Sequence, residues 1–132
     1  MIFVDTSALI AILADEPDAA TFAAKIEAER DCISGAHVIL ETSMRLATIS
    51  GLAPTMADAE VTRAFREAGI AVVPIDEEVA HVGVAAFERY GKGRGKARLN
   101  FGDCLSYACA KVHGARLLFK GGDFAHTDIA KA

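Results

Sequence analysis

Three acids stand where chemistry could gather. Asp5 follows directly on the apolar run Ile2-Phe3-Val4, and Asp123 closes Phe119-Lys120-Gly121-Gly122-Asp123, a few residues beyond a second apolar run. Asp103 falls in the first turn of a helical segment, Asp103 to His113. In open parallel sheets, ligands bind beyond the carboxyl ends of the strands. Each acid alone has an ordinary structural role. A carboxylate in the first turn of a helix is stabilised by ~0.3–1 kcal/mol, and short acids are common at strand ends and turns. Together they would repel at one sheet end unless a cation joined them. Mg²⁺ suits such a set, because it is a hard ion that takes oxygen ligands, keeps several waters and binds phosphates. Two such ions can activate a water and stabilise the leaving oxygen of a phosphodiester.

Competing chemistries find less support. His37, His81, His113 and His126 are scattered, and they read as surface or satisfied residues. The Gly-x-Gly-x-Gly run from Gly91 to Gly95 follows a helical segment rather than a strand, so it is no dinucleotide fingerprint. There is no Walker P-loop. Cys32, Cys104 and Cys109 are an odd number with no CxxC pair, which argues for buried thiols in a reducing compartment rather than zinc or disulfides. Glu41 shares a polar stripe with Arg45 and Thr48. Its spacing from Arg45 suits a surface ion pair worth ~0.3–0.5 kcal/mol, and nothing internal to the sequence singles it out.

The elements that must position these acids follow from patterning. The 132 residues fit one domain, residues 1–132. Such a chain buries enough surface to fold without staples. Ile2-Phe3-Val4 reads as a central parallel strand. Thr6 and Ser7 can cap a helix through about Ala14, and Pro17 and Asp18 start a second through about Arg30. Asp31 to Ser34 is a weak second strand. A helix from His37 to Ser50 stops at Gly51. Thr55 with Asp58 resembles a capping box for a helix ending at Gly69. Ala71 to Ile75 is a third strand, Glu77 to Tyr90 a helix, and Arg116 to Phe119 a fourth strand. Strands alternating with helices predict an α/β sandwich on a mostly parallel sheet of four or five strands. Phe101, Tyr107 and Phe124 are expected in the core rather than as base partners.

The net charge is −4. A general nucleic-acid binder is usually basic, so acids in an RNA-directed protein need a purpose such as metal binding. No apolar stretch approaches the ~18–20 residues of a membrane span. Met1-Ile2-Phe3-Val4-Asp5 lacks a basic leader, and a cytoplasmic protein is expected. Lys92, Arg94, Lys96 and Arg98 alternate with small residues just before Asp103. They read either as a solvated loop or as an RNA contact that counters the negative field of the acids. At 7% aromatic residues, an extended base-stacking platform is not expected.

Four blocks carry a resemblance: Val4-Asp5-Thr6-Ser7-Ala8-Leu9, Leu40-Glu41-Thr42, Asn100-Phe101-Gly102-Asp103-Cys104-Leu105, and Leu117-Leu118-Phe119-Lys120-Gly121-Gly122-Asp123-Phe124. In this order and spacing they resemble the PIN-domain family, and more narrowly the VapC toxins of bacterial toxin–antitoxin (VapBC) pairs. The resemblance runs from Val4 to about Asp128. It implies a three-layer α/β/α PIN sandwich and Mg²⁺- or Mn²⁺-dependent endoribonuclease activity. It carries four acids onto Asp5, Glu41, Asp103 and Asp123, with Asp5, Asp103 and Asp123 as the metal ligands. A helper hydroxyl falls on Thr6 or Ser7, and Asn100 matches a neighbour of the third acid. Asp128 echoes a tail motif. The resemblance also implies a cognate VapB-type antitoxin, a homodimer, and contact with DNA only through the antitoxin. The helices from Asp18 to Arg30 and from Thr55 to Gly69 could frame a groove for an antitoxin helix, or could be ordinary core.

Two rival readings differ in class. A phospho-accepting signalling domain of receiver type would use Asp5, Asp76 and Lys120. It should carry paired acids after the first strand, where Thr6-Ser7 stands instead, and it leaves Asp103 and Asp123 without a role. A catalytically inactive PIN module that only binds a partner would not need all four acids.

Overall fold

Ile2, Phe3 and Val4 are each at most 1% exposed, so the strand they form is central. Side chains of this type contribute roughly 1.5–3 kcal/mol each when fully buried. The computed structural model describes residues 1–132. In chain order the elements are β1 (Ile2–Val4), α1 (Thr6–Leu13), α2 (Ala19–Ala28), β2 (Cys32–Gly35), α3 (Ala36–Ser50), α4 (Pro54–Glu67), β3 (Ile70–Val73), α5 (Glu77–Tyr90), α6 (Phe101–Val112) and β4 (Arg116–Leu118).

The sheet has four strands, all parallel, in the order β3-β2-β1-β4. The chain steps outward from β1 to β2 to β3, then returns to place β4 on the other side of β1. Right-handed crossovers put α1 to α4 on one face and α5 and α6 on the other. The packing agrees: α1 lies on α2 and α3, α3 lies on α4, and α6 covers β1, β2 and β4 with α5 against it. The result is the expected three-layer sandwich. Strand order reverses between β1 and β4, and such a switch point opens a crevice at the carboxyl ends of the strands. Asp5 extends the ladder there, its N–H donating to the Leu118 carbonyl at 3.0 Å.

Several expectations need correction. The cap of α1 is Asp5 itself, which accepts from Ser7 N, rather than Thr6 or Ser7. Helix α4 starts at Pro54 behind Ala53 with no side-chain cap, so Thr55 and Asp58 form no capping box; the fixed φ of a proline in the first turn starts the helix instead. Strand β3 ends at Val73, and no fifth strand forms; the tail adds only an isolated bridge between Leu117 and Lys131. Tyr107 and Phe124 are core as expected, but Phe101 is 83% exposed. It occupies the first position of α6, where the capped turn leaves it outside the core.

Candidate active site at the carboxyl edge of the sheet

Asp5 is 6% exposed, and its carboxylate is held on both sides. Oδ2 accepts from Ser7 N at 3.0 Å and from Ser7 Oγ at 2.6 Å, while Oδ1 accepts from Ser106 Oγ at 2.8 Å. Ser7 Oγ in turn accepts from Lys120 N at 3.0 Å, which ties the end of β4 to the end of β1. Three donors converging on one buried carboxylate fix its direction.

Asp103 is held differently. Asn100 caps α6 by accepting from Asp103 N at 2.9 Å, and Asp103 Oδ2 accepts from Asn100 N at 3.0 Å. This reciprocal capping box secures the turn. Burial pushes the Asp103 carboxyl up to about 7, and the carboxylates of Asp5, Asp123 and Glu41 push in the same direction against the Asn100 hydrogen bond. All four acids therefore share one electrostatic neighbourhood, although they come from the junction of β1 and α1, from α3, from α6 and from the loop after β4.

Glu41 enters this neighbourhood through a glycine. A Cβ on Gly102 would fall on the Glu41 carboxylate, so the acid lies directly over the α6 backbone. Burial raises the Glu41 pKa, and Asp5 adds to the effect. The expected ion pair with Arg45 does not form. Arg45 and Thr48 continue the polar stripe of α3 into solvent, while the start of the stripe faces α6. Asp123 is exposed, on a loop that turns at Gly121 with φ 96°. The Thr6 hydroxyl is buried beside the Glu41 carboxylate and opposes part of its rise.

Two residues join the site that patterning had left aside. Ser106, 1% exposed, passes the Asp5 contact on to His37, whose Nε2 lies 3.0 Å from Ser106 Oγ. A hydroxyl has one proton. With that proton on Asp5, the His37 Nε2–H is the donor to Ser106. Burial pushes the His37 pKa down to about 4, so the ring is neutral at pH 7. The ring also stacks against Phe3 at 6.1 Å and fills the space that Gly35 leaves, where a Cβ would meet it at 2.6 Å. Spacing held a signal for both residues. Ser106 is one helical turn past Asp103, and His37 is four residues before Glu41, so each shares a face with an acid.

Asp128 is engaged elsewhere. It accepts from the Tyr107 hydroxyl at 2.5 Å and from Lys111 Nζ at 3.1 Å, and it lies near Arg89. Lys120 Nζ bridges Glu16 at 2.9 Å and Asp18 at 3.0 Å, and Asp76 caps α5 by accepting from Val79 N. The receiver-type trio of Asp5, Asp76 and Lys120 thus has each member serving a separate structural contact.

The donor set suits a hard divalent cation. It is all oxygen, and a cation would offset the burial and the neighbouring negative charges that hold the Asp103 carboxyl up at about 7. No three acid, histidine or cysteine side chains form a group tight enough to grip an ion as a finished cage. Mg²⁺ does not require one, since it is commonly bound through one or two carboxylates with waters and substrate phosphates completing the shell.

Residues 2–130 match the PIN domain family. Ribonuclease VapC30 of Mycobacterium tuberculosis is 42% identical over 127 residues, covering 96% of this chain and 95% of that protein. The chain belongs to the VapC ribonucleases of the PIN-domain family. Ribonuclease VapC of Mycolicibacterium smegmatis is 41% identical, over 96% of each protein. Among solved structures, Mycobacterium tuberculosis VapC20, described as a sarcin–ricin loop cleaving toxin, superposes with a TM-score of 0.81 at 19% identity, covering 100% of this chain and 98% of that one. At that identity the likeness shows the shared PIN fold. No helix of this VapC-family chain is long and apolar enough to cross a membrane.

Proposed function

We propose that this chain is the toxin of a type II toxin–antitoxin pair, an endoribonuclease whose Asp5, Asp103 and Asp123 hold Mg²⁺ or Mn²⁺, with Glu41 as the fourth carboxylate. The observation that carries this reading is the gathering of four carboxylates from separate stretches of the chain at the switch point, where burial, joined by the neighbouring acids, pushes Asp103 up to about 7. When bound, the metal would polarise a phosphoryl oxygen and ease deprotonation of a water. The chain's own residues do the rest. Ser7 and Ser106 hold Asp5 in one orientation. Asn100 fixes Asp103 through the capping box. Glu41, raised by burial and by Asp5, presents its carboxylate over Gly102, where it would act as the fourth acid. Thr6 supplies a further hydroxyl. Lys92, Arg94, Lys96 and Arg98 hold the RNA backbone.

An antitoxin of VapB type is the natural partner. A cavity of about 590 Å³ lies between α1, α2 and α4, with Leu9, Ile12, Leu13 and Ile26 as its floor and Glu27 and Glu67 among its lining. It suits an amphipathic helix with basic flanks. A solved structure from Klebsiella pneumoniae with the same fold, described as a toxin–antitoxin complex, has a TM-score of 0.71 and 18% identity. Exposed Leu40 and Met44 on α3 and Met56 on α4 offer an apolar surface for a homodimer. DNA would be reached only through the antitoxin. Three free, buried cysteines accord with a cytoplasmic setting.

The test is cleavage of RNA with added Mg²⁺ or Mn²⁺, with EDTA, and with Asp103→Asn. Cutting should require metal. The variant should fall by more than the about 10–100-fold seen when a residue supporting a metal site is lost, with circular dichroism unchanged. Full activity in Asp103→Asn, or in EDTA, overturns the reading.

A further inference from the structure

We propose that Phe101 is a base-stacking residue that holds one unpaired nucleobase of a single-stranded RNA beside the cut. The proposal rests on the ribonuclease reading and names the form of its substrate. Phe101 is the most exposed of the large apolar side chains, at 83%. It engages in none of the ring–ring or cation–ring contacts of the fold. A single exposed apolar residue is ordinary in itself; its place is not. It lies between Asn100, which caps α6, and Gly102, which carries Glu41, and it shares a turn with Asp103. A polar residue would serve the first position of the helix as well, because neither half of the capping box uses that side chain.

The approach to Phe101 matches the chemistry of nucleic acid. Lys92, Arg94, Lys96 and Arg98 are all exposed, and none forms a salt bridge. The segment is anchored rather than loose. Ala97 and Leu99 are 3% and 0% exposed, and Leu99 N donates to the Tyr90 carbonyl at 3.0 Å. From Lys96 to Asn100 cations alternate outward with the buried Ala97 and Leu99, so the end of this positive strip is held in place, in a chain of net charge −4. The other exposed ring nearby, Phe87, is covered by Arg94 at 5.1 Å, which leaves Phe101 as the free face. A cationic track that ends in an exposed aromatic is the pattern by which proteins hold single strands, phosphates on the track and a base on the ring. In a duplex the base faces are already stacked, so the contact selects unpaired RNA.

The experiment measures binding of a short single-stranded RNA of mixed sequence to the Asp5→Asn protein, with and without changes at Phe101. Phe101→Ala and Phe101→Leu should weaken binding by about 5- to 150-fold, the equivalent of about 1–3 kcal/mol per stacked base. Phe101→Trp and Phe101→Tyr should retain it. The salt dependence should not change in Phe101→Ala, because stacking releases no counterions. Replacing the four loop cations by Ser should flatten it by about 0.7 of log–log slope for each phosphate that the loop no longer neutralises. Equal binding by Phe101→Ala, or weakening in Phe101→Ala with retention in Phe101→Leu, overturns the stacking role. So does conversion of a dimer to a monomer by Phe101→Ala, which would make the ring a contact between copies. If the Asp5→Asn protein binds no RNA at all while the unaltered protein cuts none, the ribonuclease reading itself fails.

Discussion

Asp5 and Asp103 are the same residue type at the same sheet edge, yet the fold treats them oppositely. Asp5 is nearly sealed and receives three hydrogen bonds, from Ser7 N, Ser7 Oγ and Ser106 Oγ. Asp103 receives one, from the Asn100 backbone, and burial with three neighbouring carboxylates pushes it up to about 7. The difference teaches that acids in one cluster need not be held alike. One member can be locked in place by hydrogen bonds while another, Asp103, exchanges its proton near neutrality and becomes fully charged only when a cation joins it.

The contrast breaks most sharply through Gly102. Gly102→Ala would put a methyl group where the Glu41 carboxylate lies. Glu41 must then swing away, which removes one of the charges acting on Asp103. Cutting should fall by about 10–100-fold, the range for losing support at a metal site, and the Asp103 carboxyl should titrate lower. Steady-state rates, with carboxyl titration followed by NMR, check both. Full activity would show that Glu41 is dispensable.

Ser106→Ala attacks the other side. It removes one donor from Asp5 and leaves the His37 N–H without its acceptor. Leaving a buried polar group unpaired costs about 1–3 kcal/mol, so denaturant midpoints should fall accordingly. Asp5 keeps Ser7, and the loss of cutting should be smaller than in Gly102→Ala. An unchanged midpoint would mean that the His37–Ser106–Asp5 chain contributes nothing to the fold.

The least direct test is of pH dependence. Asp103 has a folded pKa near 7, above its ordinary 3.8, so the folded state binds more protons than the unfolded state between those values. Its contribution to stability is therefore present at low pH and is lost as pH rises from about 4 to about 7. His37, lowered to about 4 from 6.5, acts with the opposite sign across much of the same window, gaining stability as pH rises. Comparing thermal midpoints of the metal-free protein with those of Asp103→Asn isolates the acid. The variant should gain on the unaltered protein as pH rises through this window. Added Mg²⁺ or Mn²⁺ should close the gap at neutral pH by linkage. A gap that does not vary with pH would place the Asp103 carboxyl in an ordinary environment.

Local chemistry and order along the chain determined much of this protein. The apolar run before Asp5 read as an inner strand, alternation of strands with helices called for a parallel sandwich, and the spacing of the acid-bearing blocks pointed to the PIN family. The turn at Gly121 was legible because a glycine there permits a left-handed φ. What the tertiary structure alone decided depends on partners far apart in sequence. Glu41 looked like half of a surface ion pair until α3 was laid against α6 and Gly102 gave it room. Ser106 and His37 are 69 residues apart and become a chain to Asp5 only when α6 crosses the ends of β1 and β2. Phe101 read as core because an apolar residue beside a helix usually packs inward, and only the placement of the capped turn at the rim leaves it exposed. Periodicity reports which face a residue shares, but it does not report which other element will cover that face.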